Sequence, residues 1–227
     1  MARRTALIVG AGDPADGIAA GLADEGWEVL RLADDDLAWT DQTISEQLPG
    51  PNGADHEGLD LVVHARYPAP SRRRADLMDL TPDDWHRMAD EPLEAAVRLA
   101  RSAHPHLAAS KGTLVFLVPL MASAGGEGFT PIACAAEGIR LLAKSVAKSW
   151  GDHEIRVHAI TLDPGAFLSP ADAEGMAEAN SLQDPPLGRV PDLTTEVAPI
   201  LAALTTDDFT ALVGASLVVD GGLWMPG

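Results

Sequence analysis

The chain has 227 residues, of which 46% are hydrophobic and 22% charged, a composition that suits one globular domain with a full core. The formal net charge of −18 argues against binding to nucleic acid or to an anionic membrane surface, because those ligands need basic patches. A single cysteine excludes an intrachain disulfide, and no signal-peptide core or apolar run of membrane-spanning length is present. We therefore expect one cytoplasmic domain over residues 1–227.

The first elements are a buried strand, a glycine-containing turn and a helix. Thr5–Val9 is an apolar run, and apolar spacing predicts a helix over residues 19–25. Between them the turn carries Gly10, Gly12 and Gly17. A strand, a glycine turn and a helix in this order form the context in which a dinucleotide-binding turn occurs.

The same turn also carries groups that disfavour a nucleotide. Asp13 and Asp16 would repel a pyrophosphate, and Pro14 has no N–H group to offer it. We therefore expect this turn to preserve the fold without holding a nucleotide.

The next part of the chain is short for an alternating strand–helix protein. A second strand is predicted over residues 27–32, and residues 33–58 separate it from another buried strand, Leu59–His64. This interval has room for one helix, predicted over residues 41–48, and for a loop.

Polar side chains follow the strand that ends at His64. His64 and Tyr67 could exchange protons at the carboxyl end of the sheet, where ligands bind in such folds. Together with Arg66 they could equally fill a pocket, which is the interpretation we favour. The cations Arg72–Arg74 could clamp a phosphate or carboxylate, but a solvated face is the favoured interpretation.

A helix is predicted over residues 81–102. Thr81 is a suitable N-cap, and Pro82 suits the first helical position. Pro92, inside this helix, predicts one missing hydrogen bond and a kink.

A long helix over residues 129–150 is predicted from apolar residues that recur every three or four positions. Strands over residues 112–118 and 155–160 flank it, which makes a βαβ unit of a parallel sheet. Small residues such as Ala143 line one flank and predict close approach by another element. Cys134 is expected to be a buried small hydrophobe.

Four segments together resemble the short-chain dehydrogenase/reductase family. EIRVHAITLDPGAF is similar to the family's IRVNAVAPGPV, and LVGASLVVDGGLWM is similar to VTGQVLVVDGG. LTPDDWHRMADEPLEAAVRLARSAHPHL resembles the family's fourth helix, and PPLGRVPDLTTEVAPILAAL the segment before its last strand. The resemblance implies a single Rossmann-like, doubly wound parallel sheet with helices on both faces, shortened between the second and fourth strands.

The family's catalytic residues have no counterparts in this alignment. That family reduces carbonyls with a tyrosine that donates a proton, a lysine four residues later, a serine and an asparagine. The alignment of FTPIACAAEG with the family's FAAYSASKAG places Ile132 at the tyrosine and Ala136 at the lysine, while Pro119 takes the serine position and Pro92 the asparagine position. None of these side chains can carry a proton near neutral pH, so no residue of the usual catalytic set is expected.

The family's nucleotide turn is also altered. In its pattern GxxxGxG, Gly17 matches the second glycine and Ala19 replaces the third. The resemblance therefore implies a vestigial turn, no cofactor and no metal, with NAD(P) expected only if the chain is itself an enzyme.

The leading hypothesis is a catalytically inactive subunit that supports an active NAD-dependent dehydrogenase paralogue, including one that acts on an acyl-CoA substrate. Residues 81–102 and 131–150 would pair with that paralogue, or with a second copy in a dimer or tetramer. One alternative is an enzyme with a remodelled pocket, either a non-redox cyclase, isomerase or lyase, or an atypical oxidoreductase. A ligand-sensing regulator is the second alternative.

Overall fold

The computed structural model describes residues 4–32, 58–180 and 182–225. Their strands form one parallel sheet in the order β2-β1-β3-β4-β5-β6. The strands are β1 (Thr5–Val9), β2 (Glu28–Leu32), β3 (Leu61–His64), β4 (Thr113–Pro119), β5 (Arg156–Leu162) and β6 (Ser216–Val218). The predicted Rossmann-like sheet is confirmed. The helix predicted over residues 41–48, and the interval expected to be shortened, lie almost wholly outside the described residues.

The centre of the sheet is buried on both faces. Every residue of β1, β3, β4 and β5 is buried, which explains why these strands are nearly continuous apolar runs. The register pairs Val9 with His64 and Pro119 with Leu162, so the carboxyl ends of the central strands meet at one edge.

Helices cover the sheet. They are α1 (Asp13–Asp24), α2 (Pro82–Trp85), α3 (Glu91–Ser110), α4 (Met121–Ala124), α5 (Thr130–Trp150), α6 (Pro170–Ala179) and α7 (Ala198–Ala203). Among the described residues no helix is both long and apolar enough to cross a lipid bilayer.

The helix α1 lies unusually close to the segment that precedes α7. A Cβ atom added to Gly21 would lie 2.2 Å from the carbonyl oxygen of Thr194, and one added to Gly17 would lie 2.6 Å from Cβ of Leu193. These glycines therefore permit close packing of two elements.

The predicted helix over residues 81–102 is longer and more segmented than expected. Thr81 and Asp84 form a capping box at the start of α2, and a π-helical turn, His86–Asp90, joins α2 to α3. Pro92 occupies the first turn of α3, directly after the π-helical turn, so its missing N–H group falls where the hydrogen-bond ladder is already interrupted. The helix then continues to Ser110.

The helix α5 uses its small residues against the sheet. Ala136, Ala143 and Ala147 are buried in the core, so the flank that we expected another element to approach packs against this chain's own strands. Cys134 is exposed, so the prediction of a buried thiol is wrong. It lies on the helix surface directed away from the buried stripe that contains Ile132, Ala136 and Ile139.

Candidate functional site

A cleft lies at the carboxyl ends of the strands, beside the first turn of α1. One cavity of about 890 Å³ is lined by Gly17, Asp163 and Arg189, among others. A second cavity of about 410 Å³ is lined by Gly12 and Arg72, among others. Asp13 and Ala166 line both cavities, so the two form one site, called here the carboxyl-end cleft. Ligands bind at this edge in open α/β sheets.

The glycines of the predicted nucleotide turn have different roles. Gly10 adopts φ +135°, and a Cβ atom there would lie 2.7 Å from the backbone of Ala65. This glycine therefore lets the residue after β1 pack closely against the residue after β3. Gly12 adopts φ +85° and caps α1, with its open side towards the cleft. Gly17 belongs to α1 rather than to the turn, so its predicted place in a vestigial nucleotide turn is wrong.

The groups that we expected to repel a nucleotide are partly neutralised. The helix begins at Asp13, earlier than predicted, and Pro14 therefore lies in its first turn, where a missing N–H group breaks no helical hydrogen bond. Arg31 Nη2 lies 2.7 Å from Asp16 Oδ1, and Arg31 Nη1 donates to the carbonyl oxygen of Ala15 at 3.0 Å. The carboxylate of Asp16 is thus paired with a cation.

The residues of this turn fit a pyrophosphate. A Cβ atom on Gly12 would fill the space 3.5 Å from Arg72 Nη1, so the glycine leaves an open cradle beside a guanidinium group. The cleft borders the start of α1, where a helix carries unpaired N–H groups and the positive end of its dipole. Arg72 and Arg73 both line the cleft, and Arg74 pairs with Glu127. The interpretation of Arg72 as part of a solvated face is therefore wrong.

The side chains that follow β3 are buried in the core. Tyr67 donates a hydrogen bond to the carbonyl oxygen of Leu117 at 3.3 Å, and its ring packs edge to face against Phe167 at 5.3 Å between centroids. Burial, and secondarily the Arg66 guanidinium, lower the pKa of His64 to about 3. Burial also raises the pKa of the Tyr67 hydroxyl. In this arrangement neither side chain can exchange a proton near neutral pH.

Arg66 is held between the sheet and α3. Its guanidinium is almost fully buried, and Nη2 lies 2.9 Å from Oε1 of Glu91. His64, Arg66 and Tyr67 are thus all buried, which agrees with the space-filling role that we favoured from the sequence.

The positions that the family's catalytic residues would occupy are apolar and buried. Pro119 ends β4, Pro92 lies in the first turn of α3, and Ile132 and Ala136 lie in the first turns of α5. Ile132 and Ala136 are both fully inaccessible to solvent.

One titratable residue of the cleft was missed in the sequence. Asp163 follows β5, and its Oδ1 accepts a hydrogen bond from the N–H group of Gly165 at 2.8 Å. Burial raises the pKa of the Asp163 carboxyl. The sequence Asp-Pro-Gly after β5 is typical of a turn, so nothing in it marks Asp163 as a site residue.

Comparison with known proteins finds a matching family model, similar sequences and a similar solved structure. A family model described as "Enoyl-(Acyl carrier protein) reductase" matches residues 39–224. A "Cis-4-hydroxycyclohexanecarboxylate dehydrogenase" of Sinomonas cyclohexanicum is 29% identical over 225 residues, which cover 97% of this chain and 87% of that protein. A "Probable 2,4-dienoyl-CoA reductase" of Bacillus subtilis is 28% identical over 64% of this chain and 59% of that protein. The TT0495 protein of Thermus thermophilus has a similar fold, with a TM-score of 0.77 and 24% identity over 97% of this chain and 99% of that one.

These relatives overturn the expectation that the chain takes no cofactor. The Sinomonas cyclohexanicum and Bacillus subtilis proteins are named as a dehydrogenase and a reductase, enzymes that exchange hydride with a nucleotide cofactor. The resemblance noted in the sequence is to a family that works with NAD(P), and the cleft beside Gly12 fits part of such a nucleotide. Because the family model matches most of its length, this chain belongs to the short-chain dehydrogenase/reductase family.

Proposed function

We propose that this chain is a nucleotide-binding subunit that supports an active NAD-dependent dehydrogenase paralogue. In this proposal the chain itself does not carry out the family's proton transfer to substrate. The observation that carries the proposal is the burial of Ile132 and Ala136 at the positions of the proton donor and its lysine. Aliphatic side chains cannot donate a proton to a developing alkoxide.

The cofactor in this proposal is a nicotinamide dinucleotide. Gly12, the N–H groups at the start of α1 and Arg72 would hold its pyrophosphate. When bound, this group supplies or accepts a hydride. Phe167 lines the cleft, and its contact with the buried ring of Tyr67 gives that part of the wall an apolar backing.

Nucleotide binding is tested by titrating the purified chain with NADH or NADPH and monitoring the fluorescence of the nucleotide. Arg72→Ala should weaken binding by about 10- to 150-fold, because it removes a charged hydrogen-bond donor worth roughly 1.5–3 kcal/mol. Arg98→Ala is the matched control, since Arg98 lies on α3 and pairs with Glu94. Equal affinities for wild type and Arg72→Ala would contradict this placement of the pyrophosphate.

The proposed pairing surface lies on α3 and α5. Leu141 is 60% exposed and Val97 is 36% exposed, and Cys134 is exposed one heptad before Leu141 on α5. Apolar side chains in this position favour contact with another helical surface. The paralogue and a second copy of the chain are both candidate partners.

An acyl-CoA substrate for the active partner is supported by names among the relatives. A 2,4-dienoyl-CoA reductase of Bacillus subtilis and a (3R)-3-hydroxyacyl-CoA dehydrogenase of Mus musculus both match this chain. The proposed location in the cytoplasm remains a prediction.

The assembly is tested by co-expression of this chain with each active dehydrogenase paralogue that the same genome encodes. A stable complex in which only the paralogue's catalytic residues are needed for turnover supports the proposal. Reduction of ketones or acyl-CoA thioesters by the purified chain alone, with NADH or NADPH, would contradict it.

A second candidate function is an enzyme with different acid–base chemistry, favoured by Asp163. This carboxyl lines the cleft, and burial raises its pKa towards the range useful for proton transfer. Asp163→Asn preserves an acceptor for the Gly165 N–H group but cannot titrate. If the chain alone turns over a substrate and Asp163→Asn abolishes that turnover, this candidate replaces the first.

A further inference from the structure

Two histidines from different elements meet on the surface near the amino end of β5, whereas the cleft lies at the carboxyl ends of the strands. His104 lies on α3, and His153 ends the helical turn Gly151–His153 that follows α5. Nε2 of His104 is 2.9 Å from Nδ1 of His153. His153 is exposed and His104 is half-buried, so solvent reaches the pair.

The surrounding residues hold this histidine pair in place. The ring of Trp150 packs edge to face against His104, with 4.8 Å between centroids. On the same seam, Lys111 pairs with Glu154, and both residues adopt left-handed backbone conformations, with φ of 56° and 59°. Lys111 directly follows α3 and Glu154 directly follows His153, so this ion pair joins the same two elements as the histidine pair.

The geometry of the pair is close to that of two ligands on one metal ion. Zn–N bonds of about 2.0–2.1 Å at a tetrahedral angle place the two nitrogens roughly 3.3 Å apart. The observed 2.9 Å needs an opening of only about 0.4 Å, which small ring rotations provide. In the neutral pair one nitrogen donates its proton to the other. If both rings carry the proton on the remote nitrogen, Nδ1 of His104 and Nε2 of His153, both facing lone pairs become ligands without net proton release.

We propose that His104 and His153 form a surface site for a divalent transition-metal ion of the Zn²⁺ and Cu²⁺ class. Imidazole nitrogen suits these ions, whereas Mg²⁺ and Ca²⁺ prefer oxygen ligands. Among the residues that the structure describes, no group of three or more His, Cys, Asp or Glu side chains is arranged around a metal, so water completes the coordination. The bound ion clamps the carboxyl-terminal half of α3 to the turn after α5.

The inference does not depend on the proposed function, and it is tested on the full chain after removal of any affinity tag. Zn²⁺ binding is measured by calorimetry, and Cu²⁺ binding by quenching of tryptophan fluorescence, since Trp150 lies against His104. We expect one site, and His104→Gln or His153→Gln should weaken it about tenfold or more. Zn²⁺ should also raise the Tm of the wild type but not that of either variant.

His86→Gln is the matched control, because His86 is exposed and lies 3.5 Å from Asp90 on another part of the surface. It should bind both ions as the wild type does. His153→Cys supplies a thiolate in place of the imidazole and should retain Zn²⁺ binding. That result would show that the loss in His153→Gln comes from the missing ligand and not from a disrupted turn. Wild-type affinity in His104→Gln and His153→Gln, an equal loss in His86→Gln, or no Zn²⁺ binding by the wild type at millimolar concentration would each overturn the proposal.

Discussion

The ring of Tyr67 packs edge to face against Phe167, with 5.3 Å between ring centroids. This contact joins the segment after β3 to the segment after β5, and Phe167 lines the carboxyl-end cleft. Both side chains are buried, at 2% and 4% exposure. The wall of the cleft is therefore part of the hydrophobic core, and its residues contribute to stability as well as to the shape of the site.

Phe167→Ala should lower the free energy of unfolding by about 3 kcal/mol, because a large buried side chain is removed and leaves a cavity. Tyr67→Phe should cost only about 1 kcal/mol, since it removes one hydrogen bond, to the carbonyl of Leu117, and preserves the ring. Urea unfolding measures both effects. Phe209→Ala is the control, because Phe209 is 40% exposed, and its loss should be under about 1 kcal/mol. Equal losses for Phe167→Ala and Phe209→Ala would contradict a core role for Phe167.

Gly21→Ala should destabilise the chain strongly, in spite of the better helix propensity of alanine. The added Cβ atom would lie 2.2 Å from the carbonyl oxygen of Thr194 and 2.5 Å from Cβ of Ala198, so α1 would have to move. Overpacking of this kind costs roughly 1–3 kcal/mol.

Gly151→Ala is the matched control for that experiment. Gly151 has helical backbone angles, and nothing lies within 4 Å of an added Cβ atom. This variant should be neutral or more stable by about 0.4–1 kcal/mol, because alanine restricts the unfolded chain. Thermal unfolding separates the two, and a Gly21→Ala variant as stable as Gly151→Ala would show that α1 is not tightly packed there.

Stability should fall steeply as the pH drops below about 6.5, the ordinary pKa of histidine. Burial, and secondarily nearby arginines, lower the pKa of His64 to about 3 and of His158 to about 4. Both rings stay neutral in the folded chain while the unfolded chain takes up their protons. The contribution of these two neutral histidines to the free energy of unfolding is therefore fully present above about pH 6.5. It is lost as the pH falls towards their pKa values in the folded chain, at about 1.4 kcal/mol per pH unit for each histidine.

The measurement is the free energy of unfolding in urea at several pH values between 7 and 4. His64→Leu should reduce the proton uptake on unfolding by about one proton over this range. Phe209→Ala, which changes no titratable group at a 40% exposed position, should leave the pH dependence unchanged. An unchanged pH dependence in His64→Leu would mean that His64 titrates normally in the folded chain.

The sequence predicted the central strands well because each is a nearly continuous apolar run. β1 was predicted with its observed bounds, and β4 and β5 began within one residue of the prediction. The start of α1 was missed because Asp13 and Pro14 were interpreted as turn residues, whereas both also suit a first helical turn. The end of α3 was missed by eight residues because the helix continues past Pro105, a residue that usually ends or kinks a helix, and ends only before Lys111, which adopts a left-handed conformation.

The site was harder to predict because its parts come from distant segments. Apolar replacements at Pro119, Ile132 and Ala136 were readable from the alignment alone. The pairing of Asp16 with Arg31, and the approach of Arg72 to Gly12, depend on how strands and loops are brought together. The sequence shows the acidic residues of the turn but not their contacts with arginines. The expectation that the chain binds no cofactor was therefore based on the repulsive groups alone.

The exposed thiol of Cys134 provides a test of the proposed pairing surface. Cys134 and Leu141 are one heptad apart on α5, so a partner that covers Leu141 should also cover the thiol. Alkylation of Cys134, the single cysteine of the chain, should be fast in the dissociated chain and at least about tenfold slower in the assembly, because local opening must precede reaction.

Leu141→Arg should dissociate the assembly and restore fast alkylation, since it places a charge in an apolar contact. Leu187→Arg is the control, because Leu187 is 53% exposed outside α3 and α5. If Cys134 reacts equally fast in the assembled and dissociated states, the partner binds elsewhere on the chain.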